Sequence, residues 1–162
     1  MDQESAFVGA VIAALCILPF VLILRSKKKA EKEMLNALKE IANRYSCTIA
    51  TYEYSGDFII GMDIAKNYVF FYKKTKTYED EQAINLAEFQ DCKILKSTNT
   101  SRNNKSNFSA INRLDLNFLS NQNKADRKLE FYNAEDNQQL NGELEAIKKW
   151  SKTIHEQLQK TA

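Results

Sequence analysis

The residues able to do chemistry are few and far apart. The single histidine, His155, follows Ile154 in an apolar-periodic stretch and has no partner signature around it. General acid–base work needs a positioned partner, so His155 reads as helix surface. Cys16, Cys47 and Cys92 form no CxxC and no Cys/His ligand spacing. Zinc and dithiol redox chemistry therefore have no basis, and isolated thiols of this kind are expected as small apolar groups in a reducing compartment. Glycine stands only at positions 9, 56, 61 and 142, which rules out a glycine-rich phosphate loop. The expectation is a chain with no catalytic residue, no cofactor and no metal.

The bases are better organised. The 162 residues carry 23 Lys+Arg and 21 Asp+Glu, a formal charge of +2. No base precedes Arg25, and Arg25, Lys27, Lys28 and Lys29 form one cluster; from residue 30 onward 19 bases meet 19 acids. A neutral soluble part lacks the phosphate-neutralising charge that drives nucleic-acid binding, so nucleic acid is excluded as a partner. Two smaller groups of bases remain as anionic-headgroup contacts: Lys73, Lys74 and Lys76, and Lys124, Arg127 and Lys128. Glu79, Asp80, Glu81 and Asp126 stand beside them and cancel much of their field, so such a contact would be weak.

What positions the Arg25–Lys29 cluster is the segment before it. Residues 6–24, AFVGAVIAALCILPFVLIL, are nineteen residues without a charge, close to the roughly 30 Å that a bilayer core requires. The preceding residues are acidic (Asp2, Glu4), and the run ends directly in the basic cluster, unlike a cleaved signal peptide. A single spanning helix is expected. Bases beside a spanning helix stay on the cytoplasmic side, which places residues 1–5 outside and residues 25–162 in the cytoplasm. Each base near an anionic leaflet adds about 1 kcal/mol of attraction. Three N-glycosylation patterns begin at Asn99, Asn104 and Asn107; in a Ser/Asn-rich stretch they arise by chance and have no meaning on the cytoplasmic side. Ser5, Gly9 and Ala13 fall four apart, a small-residue row that would admit a second helix. Pro19 removes one helical hydrogen bond and is expected to kink the helix.

Residues 25–45 place Met34, Leu35, Leu38, Ile41, Ala42 and Tyr45 at helical spacing, an amphipathic helix leading out of the membrane. The period then becomes that of strands: Cys47–Tyr54, Phe58–Asp63, Tyr68–Tyr72, Ala83–Leu86, Cys92–Leu95, Ile111–Leu119 and KLEFY at 128–132, seven in all. Ser97–Ser109 is a polar, low-complexity loop. A last helix runs from Glu143 to about Lys160, with Asn141 as N-cap and Leu144, Ile147, Trp150, Ile154 and Leu158 on one face. Trp150, the single tryptophan, is expected to anchor the core.

Seven short strands followed by a terminal amphipathic helix with a central Trp resemble the pleckstrin-homology-like (PH-like) superfamily. FIIGMDIAKNYVFFYKK and AINLAEFQDCKIL look like the opening half of bacterial members. The block KLEFY…NGELEAIKKWSKTI is similar to a family of small, uncharacterised membrane-anchored bacterial proteins. Over residues 46–160 the resemblance implies a seven-stranded antiparallel barrel whose open end is plugged by the C-terminal helix. It also implies that the Lys73–Lys76 and Lys124–Lys128 groups share that open end. The first hairpin, Tyr54-Ser55-Gly56-Asp57, lacks the bases that hold phosphoinositides in that superfamily. A partner peptide received as an added strand at Cys92–Leu95 is a further implication. An open antiparallel sheet packed on helices is the alternative fold. The expected role is a membrane-anchored, non-enzymatic interaction module with a protein partner. The alternative is an accessory subunit of a membrane complex, meeting its partners through the spanning helix.

Overall fold

The computed structural model describes residues 3–100, 109–120, 125–137 and 139–161, and at the margins of these ranges (3–7, 99–100, 109 and 161) the backbone alone. Helix α1 (Gln3–Arg44) is a single helix of 42 residues, about 63 Å long. The segments expected to span the membrane and to lead out of it are thus one rod. Between Pro19 and its end the helix contains no Gly or Pro and many strong helix formers, so nothing stops it at Leu24. It also continues through Pro19. The apolar half is exposed, with none of its membrane-length window buried. A core helix of the same composition would be covered; this helix is long and apolar enough to cross a membrane.

The polar half of α1 is docked. Met34, Leu38, Ile41 and Ala42 are buried at helical spacing against one sheet of the domain. The helix ends in a Schellman-type cap, with Cys47 N donating to Ala42 O and Ser46 N to Asn43 O, both at 3.0 Å. Ser46 takes the left-handed conformation that the cap requires (φ 55°).

Seven strands follow: β1 (Thr51–Ser55), β2 (Phe58–Asp63), β3 (Tyr68–Lys74), β4 (Glu79–Asn85), β5 (Phe89–Thr100), β6 (Ser109–Ser120) and β7 (Arg127–Asn133). They stand in two antiparallel sheets, β1-β2-β3-β4 and β5-β6-β7. The expected closed barrel is therefore corrected to two sheets. The chain leaves β4 through a 3-10 turn at Leu86–Glu88, capped by Asn85 and with Leu86 buried, so β5 starts in a new sheet instead of continuing the first ladder. Along one side the β4 and β7 edges meet through side chains, such as Gln82 Nε2 donating to Lys128 O at 3.0 Å. On the other side helix α2 (Glu143–Thr161) packs on β5 and also reaches β1, closing the gap between the two sheets.

Two cores result because the first sheet is covered on both faces. Phe58, Ile60, Met62, Val69 and Phe71 point inward, against Leu114, Leu116, Phe118, Leu129, Phe131 and the Trp150 face of α2. Ile59, Phe70 and Tyr72 point to the opposite face, against α1. Gly61 permits that second contact. A Cβ there would lie 2.9 Å from Leu38 Cδ2 and 3.2 Å from Thr51 O. The α2 N-terminus differs from expectation: the Ala146 N–H is taken by Gly142 O, so residue 142 occupies the cap, and the Asn141 backbone N–H is bound by Glu143.

Candidate functional site

The path of α1 along the first sheet gives the domain two unlike ends. Ala30, Glu33 and Met34 meet Tyr54, Gly56, Tyr72 and Lys74, at the end that carries the β1–β2 and β3–β4 turns. Eleven residues after Met34, the Tyr45 ring lies tilted against Tyr68 (centroids 5.6 Å apart) and Ser46 O accepts from Lys66, at the opposite end. Since α1 arrives from its apolar half, the β1–β2 and β3–β4 turns form the end nearer the span.

The basic residues divide between these ends, so the two loop groups do not converge. Lys76 is exposed at the tip of the β3–β4 turn. Lys74 pairs with Glu79 at 2.6 Å on the surface. Arg127 shares a recess with Tyr45, Tyr68, Asn85 and Glu88 at the far end, and Lys128 is its exposed neighbour on β7. The meeting of the two sheet edges explains this: β7 passes β4 so that Lys128 lies beside Gln82 and Arg127 shares its recess with Ala83, Ile84 and Asn85. Lys124 lies outside the described residues. Arg25, Lys27, Lys28 and Lys29 form the exposed turn of α1 after the apolar run.

Lys73 is not a surface base. With Val69 and Phe71 it occupies the inward positions of β3 and is 1% exposed. Its Nζ lies 2.9 Å from Glu130 Oε1 and 3.8 Å from Asp136 Oδ2, and 5.9 Å from the Tyr78 ring centre. The Tyr78 hydroxyl lies 2.6 Å from Glu130 and 2.9 Å from Asp136 and shares its one proton between the two carboxylates, and Arg113 reaches Glu130 Oε2 at 3.0 Å and Asp115 at 2.8 Å. Burial would raise Glu130, but the bonds from Tyr78 and Lys73 and the charges of Lys73 and Arg113 outweigh it and hold the carboxyl below its ordinary value. Burial, then the bonds to Glu130 and Asp136, push the Tyr78 phenol far up, so it stays a donor. Asp57, at the β1–β2 turn, goes the other way. Burial raises it, Lys73 offsets only part of that, and Glu143 and Asp136 add to the rise. This network ties β3, the β3–β4 turn, β6, β7 and the turn after β7 across the open seam. Enclosed by carboxylates and a ring, the Lys73 ammonium offers no approach to a phosphate.

Other polar contacts hold α2. Glu53 on β1 accepts from Trp150 Nε1 (2.9 Å) and Lys149 Nζ (2.8 Å), and Trp150 itself is 2% exposed. His155 does have a carboxylate neighbour, Asp91, at 3.2 Å, but its other ring nitrogen is engaged by Gln159 and the pair lies on the surface. Cys92, beside it, touches Ser151 O and is pushed up to about 11 by burial, which disfavours the thiolate. Cys47 is buried and Cys16 is exposed on the span. Among the described residues no group of three His, Cys, Asp or Glu could hold a metal ion. Gly9 and Ala13 are exposed on α1, with open space around Gly9; of Ser5 the backbone alone is described.

One backbone feature remains available. The β4 and β7 edges face each other, and β1 is tied to α2 at Glu53; among the described residues β5 ends its sheet with β6 as its one ladder partner. Beyond Cys92, where α2 covers it, residues 93–98 are exposed, including Ile94 and Leu95. Comparison with protein-family models, curated proteins and solved structures found no match.

Proposed function

We propose that this chain is a single-pass, membrane-anchored, non-enzymatic interaction module that presents a PH-like domain at the cytoplasmic face and receives a protein partner at β5. The PH-like reading is supported by the order of elements: four strands, three strands, and a C-terminal helix filling the open side between the sheets. The orientation is supported by the basic turn Arg25–Lys29 directly after the apolar run. That turn, with Lys76 on the hairpin tip at the same end, supplies the weak contact with anionic lipids.

The observation that carries the binding role is the β5 edge. It is a strand of 12 residues, unpaired on its outer side among the described residues, with two exposed aliphatic side chains. Such an edge is a ready template for an added strand. Lys93 and Lys96 flank Ile94 and Leu95 and oppose indiscriminate self-pairing. A photo-crosslinking residue in place of Leu95, in the full chain in native membranes, tests it. The expected result is one discrete adduct that Ile94→Lys abolishes and Gly9→Leu leaves intact. No adduct at Leu95, with assembly lost in Gly9→Leu, would transfer the role to the spanning helix, as in an accessory subunit.

A further inference from the structure

Where α1 first meets the domain, the two do not close on each other. Ala30, Glu33 and Met34 on the helix and Tyr54, Gly56, Tyr72 and Lys74 on the sheet enclose a crevice of about 260 Å³. Its position follows from the unbroken helix. Ala30 is six residues past Leu24, about 9 Å along the axis. The headgroup layer extends about 5–8 Å beyond the hydrocarbon, so the lower lip of the crevice lies at its outer surface, beside the turn formed by Lys27, Lys28 and Lys29.

Its lining is amphiphilic and carries both signs of charge. Met34 and Tyr72 are nearly fully buried and give an apolar floor. Glu33 stands on the helix wall and Lys74 on the sheet wall, near enough that Glu33 contributes to a raised Lys74, behind the nearer Glu79 and Tyr72. Burial and the nearby Glu31 raise the Tyr54 phenol, so it remains a hydroxyl donor. Among the described residues the ion-pair partners of both rim charges are exposed, Lys29 at 3.9 Å for Glu33 and Glu79 at 2.6 Å for Lys74. Surface pairs of this kind are worth about 0–1 kcal/mol and exchange readily. A phosphate alone would face the Glu33 and Glu79 carboxylates, and an amine alone would face Lys74. A group with an ammonium and a phosphate a few ångströms apart satisfies both walls.

We infer that this crevice receives the headgroup of a zwitterionic phospholipid from the leaflet that α1 leaves, its ammonium at Glu33 and its phosphate at Lys74 and Tyr54. A specific lipid there would wedge the helix–sheet junction and fix the height of the domain over the bilayer, while the Arg25–Lys29 turn attracts anionic lipids without selecting among them. The inference rests on the spanning reading of α1, which the same experiment scores separately.

The test uses the full chain in nanodiscs of phosphatidylglycerol with a few per cent of a headgroup-photoactivatable phosphatidylethanolamine, or of the matching phosphatidylglycerol probe. The expected result is ethanolamine-probe adducts on Met34, Tyr54 or Tyr72, at least fivefold above those of the glycerol probe. Glu33→Lys, at an exposed position that does not support the fold, should remove that excess. Equal labelling by both probes, labelling untouched by Glu33→Lys, or insertion without labelling of the crevice would each overturn the inference. A chain that fails to enter the nanodiscs would overturn the spanning reading with it.

Discussion

Asp57 and Glu130 are two carboxylates near the same buried lysine, yet their environments push them in opposite directions. Glu130 is held below its ordinary value by Tyr78, Lys73 and Arg113 against the cost of burial. It therefore contributes stability that is present above the ordinary carboxylate range and lost as pH falls through its depressed value. Asp57 is raised, chiefly by burial, so its charged form weakens the fold above that raised value and the penalty vanishes as the group protonates. Asp57→Asn, which keeps an acceptor for Asn137, should raise the melting temperature at neutral pH by the equivalent of about 1 kcal/mol. The gain should shrink to nothing as pH falls towards 4. Glu130→Gln should do the reverse, costing about 3 kcal/mol at neutral pH. Melting curves of both variants from pH 4 to 8 decide it; an Asp57→Asn variant less stable than the wild type at pH 7 would contradict the assignment. None of this network is legible in the sequence, where Lys73 looks by its type like a surface base. Its spacing did carry a signal: Val69, Phe71 and Lys73 share one face of β3, and a lysine at an inward position needs an acid. That the acids would be Glu130 and Asp136 depends on two sheets meeting, which no local pattern encodes. Trp150 was legible, since a large apolar residue in the middle of a helical stripe has few other places to go.

Elements fared unevenly for reasons of burial. Phe58–Asp63 has the boundaries its pattern predicts, and the α2 face is buried from Ile147 to Leu158. β4 begins at Glu79, four residues before the predicted start, because EDEQ is polar and its ladder with β3 leaves those side chains largely in solvent. β5 extends to Thr100, far past Leu95, for the same reason. The division into two sheets was hidden altogether, as pairing partners are not a local property. Nor was the docking of α1 readable from its stripe alone; the neglected signal was Gly61, a lone glycine inside an apolar strand, which marks a close backbone approach. Gly61→Ala should push Leu38 and Ile49 outward and cost about 1–3 kcal/mol. Truncation gives the complementary result. Residues 30–162 keep the α1 face and should be monodisperse. Residues 46–162 expose Ile59, Phe70 and Tyr72 and should aggregate. Equal solubility of the two fragments by size-exclusion chromatography would show that α1 is not part of the domain.

At the scale of the whole molecule, an unbroken α1 makes the domain a continuation of the apolar segment rather than a body on a flexible tether. A flexible linker would let every face of the domain visit the membrane. With α1 across a bilayer as proposed, a docked helix would turn one end toward the membrane and hold the far end away by roughly the length of a seven-residue strand, about 20 Å. The most direct measurement places a fluorophore at Lys76→Cys or at Arg127→Cys and quenches it with nitroxide-headgroup lipid in nanodiscs. Cys16 would be replaced by Ala, and the buried Cys47 and Cys92 left in place. With the domain fixed on α1, the label at position 76 should be strongly quenched and the label at 127 barely affected. Equal quenching at the two positions, or stronger quenching at 127, would contradict the mounted domain.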